Sequence, residues 1–161
     1  MRPRGGTAVG RAAVPGLLLV LLAAPLGSAP AHADACDALA ARIAEATGAR
    51  KAGRRTGPSI DVRAASGIRL DLTCRAEPIV QAASGDPAPS AEYFSALGIA
   101  AQLVVGESSG AVQAAIRQAY ETALGSRTKS FIQQNGWSAS CYTDSAGALR
   151  TLCSVGRIPP G

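Results

Sequence analysis

The chain has 161 residues, with 16 Lys and Arg against 11 Asp and Glu, and a single histidine. The formal net charge of +5 is unevenly placed, because Arg2, Arg4 and Arg11 stand in the first 33 residues with no acid among them. The remainder carries only about +2, too small a balance to argue for nucleic acid, and no nucleic-acid partner is expected.

After the three arginines comes an apolar run, Leu17 to Ala24, then Pro25 and small residues ending in Ala31-His32-Ala33. A basic start, a short apolar core and an Ala-x-Ala site are the three parts of a secretory signal peptide. The apolar core is roughly 10 residues, well short of the ~20 needed to span a membrane. No Arg-Arg pair precedes it, which argues for a Sec-type rather than a twin-arginine route. Cleavage is expected after Ala33, leaving residues 34–161 as one domain without a transmembrane segment, in the periplasm or outside the cell. The Ala-, Arg- and Gly-rich composition suggests a bacterial exported protein. That cleavage removes His32 and Met1, the sole residues of their kinds. Without an imidazole, a Ser-His-Asp triad, a His-ligated metal and a c-type haem site are all excluded. No catalytic residue, cofactor ligand or metal ligand is predicted.

Cys36, Cys74, Cys141 and Cys153 remain. An even count in an exported chain reads as two disulfides, and no Cys-x-x-Cys spacing suggests zinc or redox chemistry. Of the three connectivities, sequential pairing, Cys36–Cys74 with Cys141–Cys153, is favoured. On the chain-entropy account the two bonds contribute about 4 and about 3 kcal/mol.

The spacing predicts a helix from Asp34 to Thr47, with Cys36, Leu39, Ala40 and Ile43 on one stripe and Gly48 as its stop. Residues 49–57 read as a basic, glycine-punctuated loop. The period then changes to two. Ile60, Val62 and Ala64, then Ile68, Leu70, Leu72 and Cys74, alternate with charged residues around a turn at Ala65-Ser66-Gly67, as in a half-buried hairpin. Cys74 shares the inward face and so can meet Cys36. Residues 84–90 form a loop whose Ser90 can cap a second helix, Ala91 to Val105, apolar enough to be the most buried one. A third helix follows, with Val112, Ala115, Ile116, Ala119 and Ala123 inward.

Beyond it two readings compete. In-phase apolar residues Leu124, Thr128 and Phe131 favour a helix continuing to Asn135-Gly136. The alternative makes Lys129 to Gln134 a strand, with Asn135-Gly136 as its hairpin turn onto Trp137. Trp137 to Val155 then forms a final hairpin. A wide loop centred on Gly147 sets Cys141 opposite Cys153 and Asp144 opposite Arg150. The expected order is α-β-β-α-α-β-β, an α+β domain with an antiparallel sheet and helices on one face.

Two motifs imitate catalytic signatures. Gly106-Glu107-Ser108-Ser109-Gly110 matches the Gly-x-Ser-x-Gly nucleophile elbow. With no histidine to take the proton, it is better read as Gly106 ending one helix and Ser108 or Ser109 capping the next. Ser126-Arg127-Thr128-Lys129 matches Ser-x-x-Lys, but no Lys-Thr-Gly follows. A small serine hydrolase using Ser108 or Ser126 is therefore the least favoured function. Arg50, Lys51, Arg54 and Arg55 make a cationic segment that offers an anion-binding surface for anionic lipid or polysaccharide. The leading expectation is a non-enzymatic interaction protein that binds a protein partner in the envelope or outside, as an inhibitor or envelope accessory.

Overall fold

A computed structural model describes residues 29–50, 52–126 and 129–159, with side chains from residue 35 onward. Residues 1–28 of the predicted signal segment 1–33, together with Lys51, Arg127 and Thr128, lie outside the described residues. Ala29–Ala46 (α1) is followed by four strands, Ala52–Thr56 (β1), Ser59–Arg63 (β2), Arg69–Thr73 (β3) and Ile79–Ser84 (β4). Two helices come next, Ala91–Val105 (α2) and Ser109–Ser126 (α3), then Ser130–Gln134 (β5), Trp137–Thr143 (β6) and Thr151–Arg157 (β7). The strands form one antiparallel sheet in the order β1-β2-β3-β4-β7-β6-β5. Two meanders, one before the helix pair and one after it, thus meet where β4 pairs with β7.

The α+β class, the antiparallel sheet and both sequential disulfides agree with the expectation, while the strand count does not. The 49–57 segment holds β1 as well as a loop. Its Ala-Gly-Arg-Arg-Thr has no apolar alternation, and the register shifts between Ala52 and Arg55, so no period of two survives. Gly57, with φ of 59°, opens the two-residue loop to β2. β4 was not anticipated either, because its inward alternation rests on Val80 and Ala82 alone. After α3, the favoured helical continuation is overturned. α3 ends at Ser126, and 130–134 is a strand turning back through Asn135-Gly136, with Gly136 at φ of 78°. Phe131 fell in helical phase by coincidence; it stands on the outer sheet face, 61% exposed.

One face of the sheet is the core. Ile60, Val62, Leu70, Leu72, Val80, Ala82, Trp137, Ala139, Cys141, Cys153 and Val155 are buried under the helices. α1 lies over β1 and β2, α2 over β4 and β7, and α3 over β5, β6 and β7. Nine of the fifteen residues of α2 are buried, so this helix is apolar nearly all round, as a central element must be. Gly98 lets α3 come close, since a side chain there would collide with Gln113. The rings of Phe94 and Tyr120 meet edge to face at 5.3 Å, and the Arg117 guanidinium caps Phe94 at 4.4 Å.

The helix ends follow from local chemistry. α1 stops at Gly48, whose φ of 67° lets Ala49 N–H reach the Ala44 carbonyl at 2.8 Å. α2 stops at Gly106, at φ of 85°, and Arg157 Nε donates to the Val104 carbonyl at 3.0 Å. A guanidinium at that end also suits the negative pole of the helix dipole.

Tyr93 supplies the contact that joins the two meanders. Its hydroxyl donates to the Ala82 carbonyl of β4 at 2.7 Å and accepts the Cys153 N–H of β7 at 3.1 Å. Burial pushes the phenol well above its ordinary range, so it stays a neutral donor throughout the physiological span. Tyr93→Phe leaves a buried carbonyl and a buried N–H without this partner, and the expected loss is about 1–3 kcal/mol. Urea denaturation with the disulfides intact measures it; a loss below about 0.5 kcal/mol means that the ladder closes over the gap unaided. Peptide mapping without reduction is expected to return Cys36 with Cys74 and Cys141 with Cys153.

Candidate functional site

The serine motifs resolve into structural roles. The Ser108 hydroxyl accepts the Ala111 N–H at 3.3 Å and its carbonyl accepts Val112 N–H at 3.1 Å, the pattern of a residue capping α3. Ser126 is the last residue of α3, and its hydroxyl donates to the Thr122 carbonyl at 2.9 Å. Lys129 lies beyond the end of that helix, with Nζ 4.5 Å from the centre of the Phe131 ring. The one-turn spacing that a Ser-x-x-Lys dyad needs is therefore not formed.

The basic segment is spread out. Arg50 and Arg54 are exposed. Arg55 points the other way from Arg54, pairing with Asp37 of α1 at 2.8 Å. Among the described residues no group of three His, Cys, Asp or Glu is placed to hold a metal ion.

What the fold leaves open is the second face of the sheet. Cross-strand pairing lines up Asp61, Asp71, Gln81, Ser154, Ser140 and Phe131 across six strands. The β2–β3 end of this row sets two carboxylates directly opposite each other, an unfavourable pairing. It is compensated within the fold. Arg69 grips Asp61 with Nε and Nη2 at 3.0–3.1 Å. Ser59, Thr73 and Gln81 all donate to Asp71 Oδ1, at 3.2, 3.1 and 3.4 Å. In the middle, the Ser140 and Ser154 hydroxyls bond each other at 2.9 Å.

The opposite end is more apolar, with Lys129 Nζ over the Phe131 ring and the Tyr142 hydroxyl donating to Asp144 Oδ2 at 3.4 Å. Phe131 stands opposite Ser140, and Tyr142, two residues further along β6, pairs with Leu152. The register places these three side chains at neighbouring positions of the open face, with Phe131 and Tyr142 61% and 39% exposed. Trp137, by contrast, points inward and is buried, so the aromatics of the last hairpin divide between the two faces.

The two sheet edges differ as well. β1 carries Arg54, Arg55 and a register irregularity, which are the usual devices against edge-to-edge pairing. β5 pairs with β6 in unbroken register over five residues, and no charged residue lies between Ser130 and Gln134. Beside it, the loop after β6 is held by the Asp144 carboxylate, which accepts the Ala146 N–H at 2.9 Å. That bond and the Gly147 N–H keep the Asp144 pKa below the ordinary carboxylate range. Asp144 N–H meets the Arg150 carbonyl at 2.9 Å, and Cys141 faces Cys153, the register expected for the wide loop. The Asp144 side chain serves the turn, and Arg150 acts on it only through its charge.

Sequence reasoning placed Phe131 on a helix and so missed this exposed group. The signal that finds it is Asn135-Gly136, the strongest short hairpin marker in the chain. No protein family, curated protein or solved structure matches this chain. Ser108→Ala is expected to lower stability by about 1 kcal/mol through loss of the cap. It is also expected to leave labelling by a fluorophosphonate probe at background; labelling of wild type that disappears in the variant restores the hydrolase reading.

Proposed function

We propose that the chain is an exported, non-enzymatic interaction protein that takes an extended segment of a protein partner alongside β5. It would act as an inhibitor or an envelope accessory protein. The signal-like N-terminus with expected cleavage after Ala33, the two disulfides, and the lack of any described helix long and apolar enough to cross a membrane all support an exported chain.

One observation carries the binding reading. The β5 edge offers unpaired backbone donors and acceptors next to an exposed aromatic, whereas the β1 edge is guarded. Strand addition draws its affinity from main-chain hydrogen bonds and its selectivity from alternate side chains. On β5 those alternate positions are Phe131 and Gln133 on the open face.

A photocrosslinking residue at Gln133, introduced in cells that export the protein, tests this. The expected result is a discrete adduct that is lost in Phe131→Lys and is not formed by the same probe at Arg54 on β1. Phe131 is largely exposed, so its substitution leaves the core intact. An adduct of equal yield in Phe131→Lys, or none above that at Arg54, removes the reading.

A further inference from the structure

A second opening lies on the other side of the molecule, between α1, the turn from β3 to β4, and α2. It is a cleft of about 680 Å³, inside the ~300–1,000 Å³ range of small-molecule sites. Its floor is apolar, built from Leu39 of α1, Pro78 before β4 and Leu103 of α2, and the Cys36–Cys74 disulfide forms part of the wall. Among the described residues, the charged ones that line it are Arg42, Arg55 and Arg75, one each from α1, β1 and the β3–β4 turn.

Asp37, the nearby carboxylate, is drawn to Arg55 at 2.8 Å and thereby fixes that guanidinium to α1. Two ion pairs occur among the described residues, Arg55–Asp37 and Arg69–Asp61, and neither includes Arg42 or Arg75. Three guanidinium groups are thus gathered from separate elements around an apolar hollow. Arg42 and Arg75 are planar donors suited to two-point contact with a carboxylate or phosphate, while Arg55 is already engaged by Asp37. Among the described residues no aromatic lines the cleft, so they offer no stacking platform for bases. An apolar floor also gives a bare inorganic anion little to bind.

We propose that this cleft binds a small amphiphilic anion, with a carboxylate or phosphate monoester head at the arginines and an apolar body against Leu39, Pro78 and Leu103. The site is independent of β5 and of any partner bound there. The disulfide is part of it, because it holds α1, and with it Arg42, against the turn that carries Arg75.

The test is a fluorescence titration with a dansylated fatty acid on the protein as its cell processes it. Decanoate and decyl phosphate serve as competitors; decanol, decyltrimethylammonium and inorganic phosphate serve as controls. Both anionic amphiphiles are expected to displace the probe, and the tighter one assigns the head group. The three controls are expected to compete at least about tenfold more weakly, since they lack either the charge-assisted contacts or the apolar body. Arg42→Ala/Arg75→Ala is expected to weaken binding about tenfold or more, and Arg63→Ala, on the open sheet face, to leave it unchanged. Both replaced arginines are exposed, and circular dichroism checks that the double variant stays folded. Phe131→Lys is expected to bind the probe as wild type does, which keeps this result separate from the β5 reading. The proposal is overturned if the double variant binds normally, if decanol competes as well as decanoate, or if no amphiphile binds. Displacement by an acidic peptide but not by decanoate overturns it too, assigning the cleft to a protein segment.

Discussion

The union of the two meanders depends on the β4–β7 ladder, and within it on the hydroxyl of Tyr93. That group stands between the Ala82 carbonyl of one meander and the Cys153 N–H of the other, the latter 60 residues beyond Tyr93 in the chain. Tyr93 comes from α2, the helix that follows the first meander directly. The same element that buries the seam therefore also supplies the polar partner that a buried seam requires. The seam is reinforced at its other end, where Arg150 N–H meets the Ser84 carbonyl at 3.0 Å and Thr151 Oγ1 donates to the Asp86 carbonyl at 3.1 Å.

Neither disulfide crosses this seam. Cys36–Cys74 ties α1 to the end of β3, wholly within the N-terminal half, and Cys141–Cys153 joins β6 to β7, wholly within the C-terminal half. The covalent bonds make each half a stiffer body, but the halves are held to each other by packing and hydrogen bonds. The disulfides thus secure the parts, while the sheet as a whole rests on α2. The aromatic cluster supports this division. Tyr93 and Phe94 leave the helix toward the sheet and toward α3 respectively, and Tyr120 of α3 donates to the Pro87 carbonyl at 2.6 Å, pinning the loop that leads into α2.

Much of this was legible where periodicity and burial agree. The inward set of α3, Val112, Ala115, Ile116, Ala119 and Ala123, is the set that lies buried. The β2–β3 alternation is likewise the observed register, and the cysteine spacing led to the observed pairs. Where the reading failed, small residues carried the structure. β1 and β4 draw on Ala52, partly buried, and Ala82, buried, which pack beneath the helices yet contribute little hydrophobic contrast. The helical phase through Leu124 and Phe131 misled for a related reason. Both are exposed, at 49% and 61%, so their spacing recorded no buried face at all. The arginine cleft was illegible in principle. Arg42, Arg55 and Arg75 are far apart in sequence, and only the strand β1 turns Arg55 away from Arg54 and toward α1.

The open face shows how a one-layer cover of helices divides a sheet into used and unused surface. A seven-stranded sheet with helices on one side needs polar residues on the other to remain in water, and most of this face obeys. Its carboxylates, hydroxyls and amides satisfy one another from β2 across to β6. The exception is confined to the last two strands and the end of β7. There Phe131, Tyr142 and Leu152 gather at the one edge that has neither charge nor bulge. These side chains lie outside the buried core on the other side of the sheet. The local contacts of this group are few: Lys129 Nζ stands 4.5 Å from the centre of the Phe131 ring, and the Tyr142 hydroxyl donates to Asp144 Oδ2 at 3.4 Å. Buried and exposed apolar groups are thereby separated onto the two faces of the same three strands. Trp137, Cys141 and Cys153 hold the inner face, and the outer corner remains free to change without disturbing them.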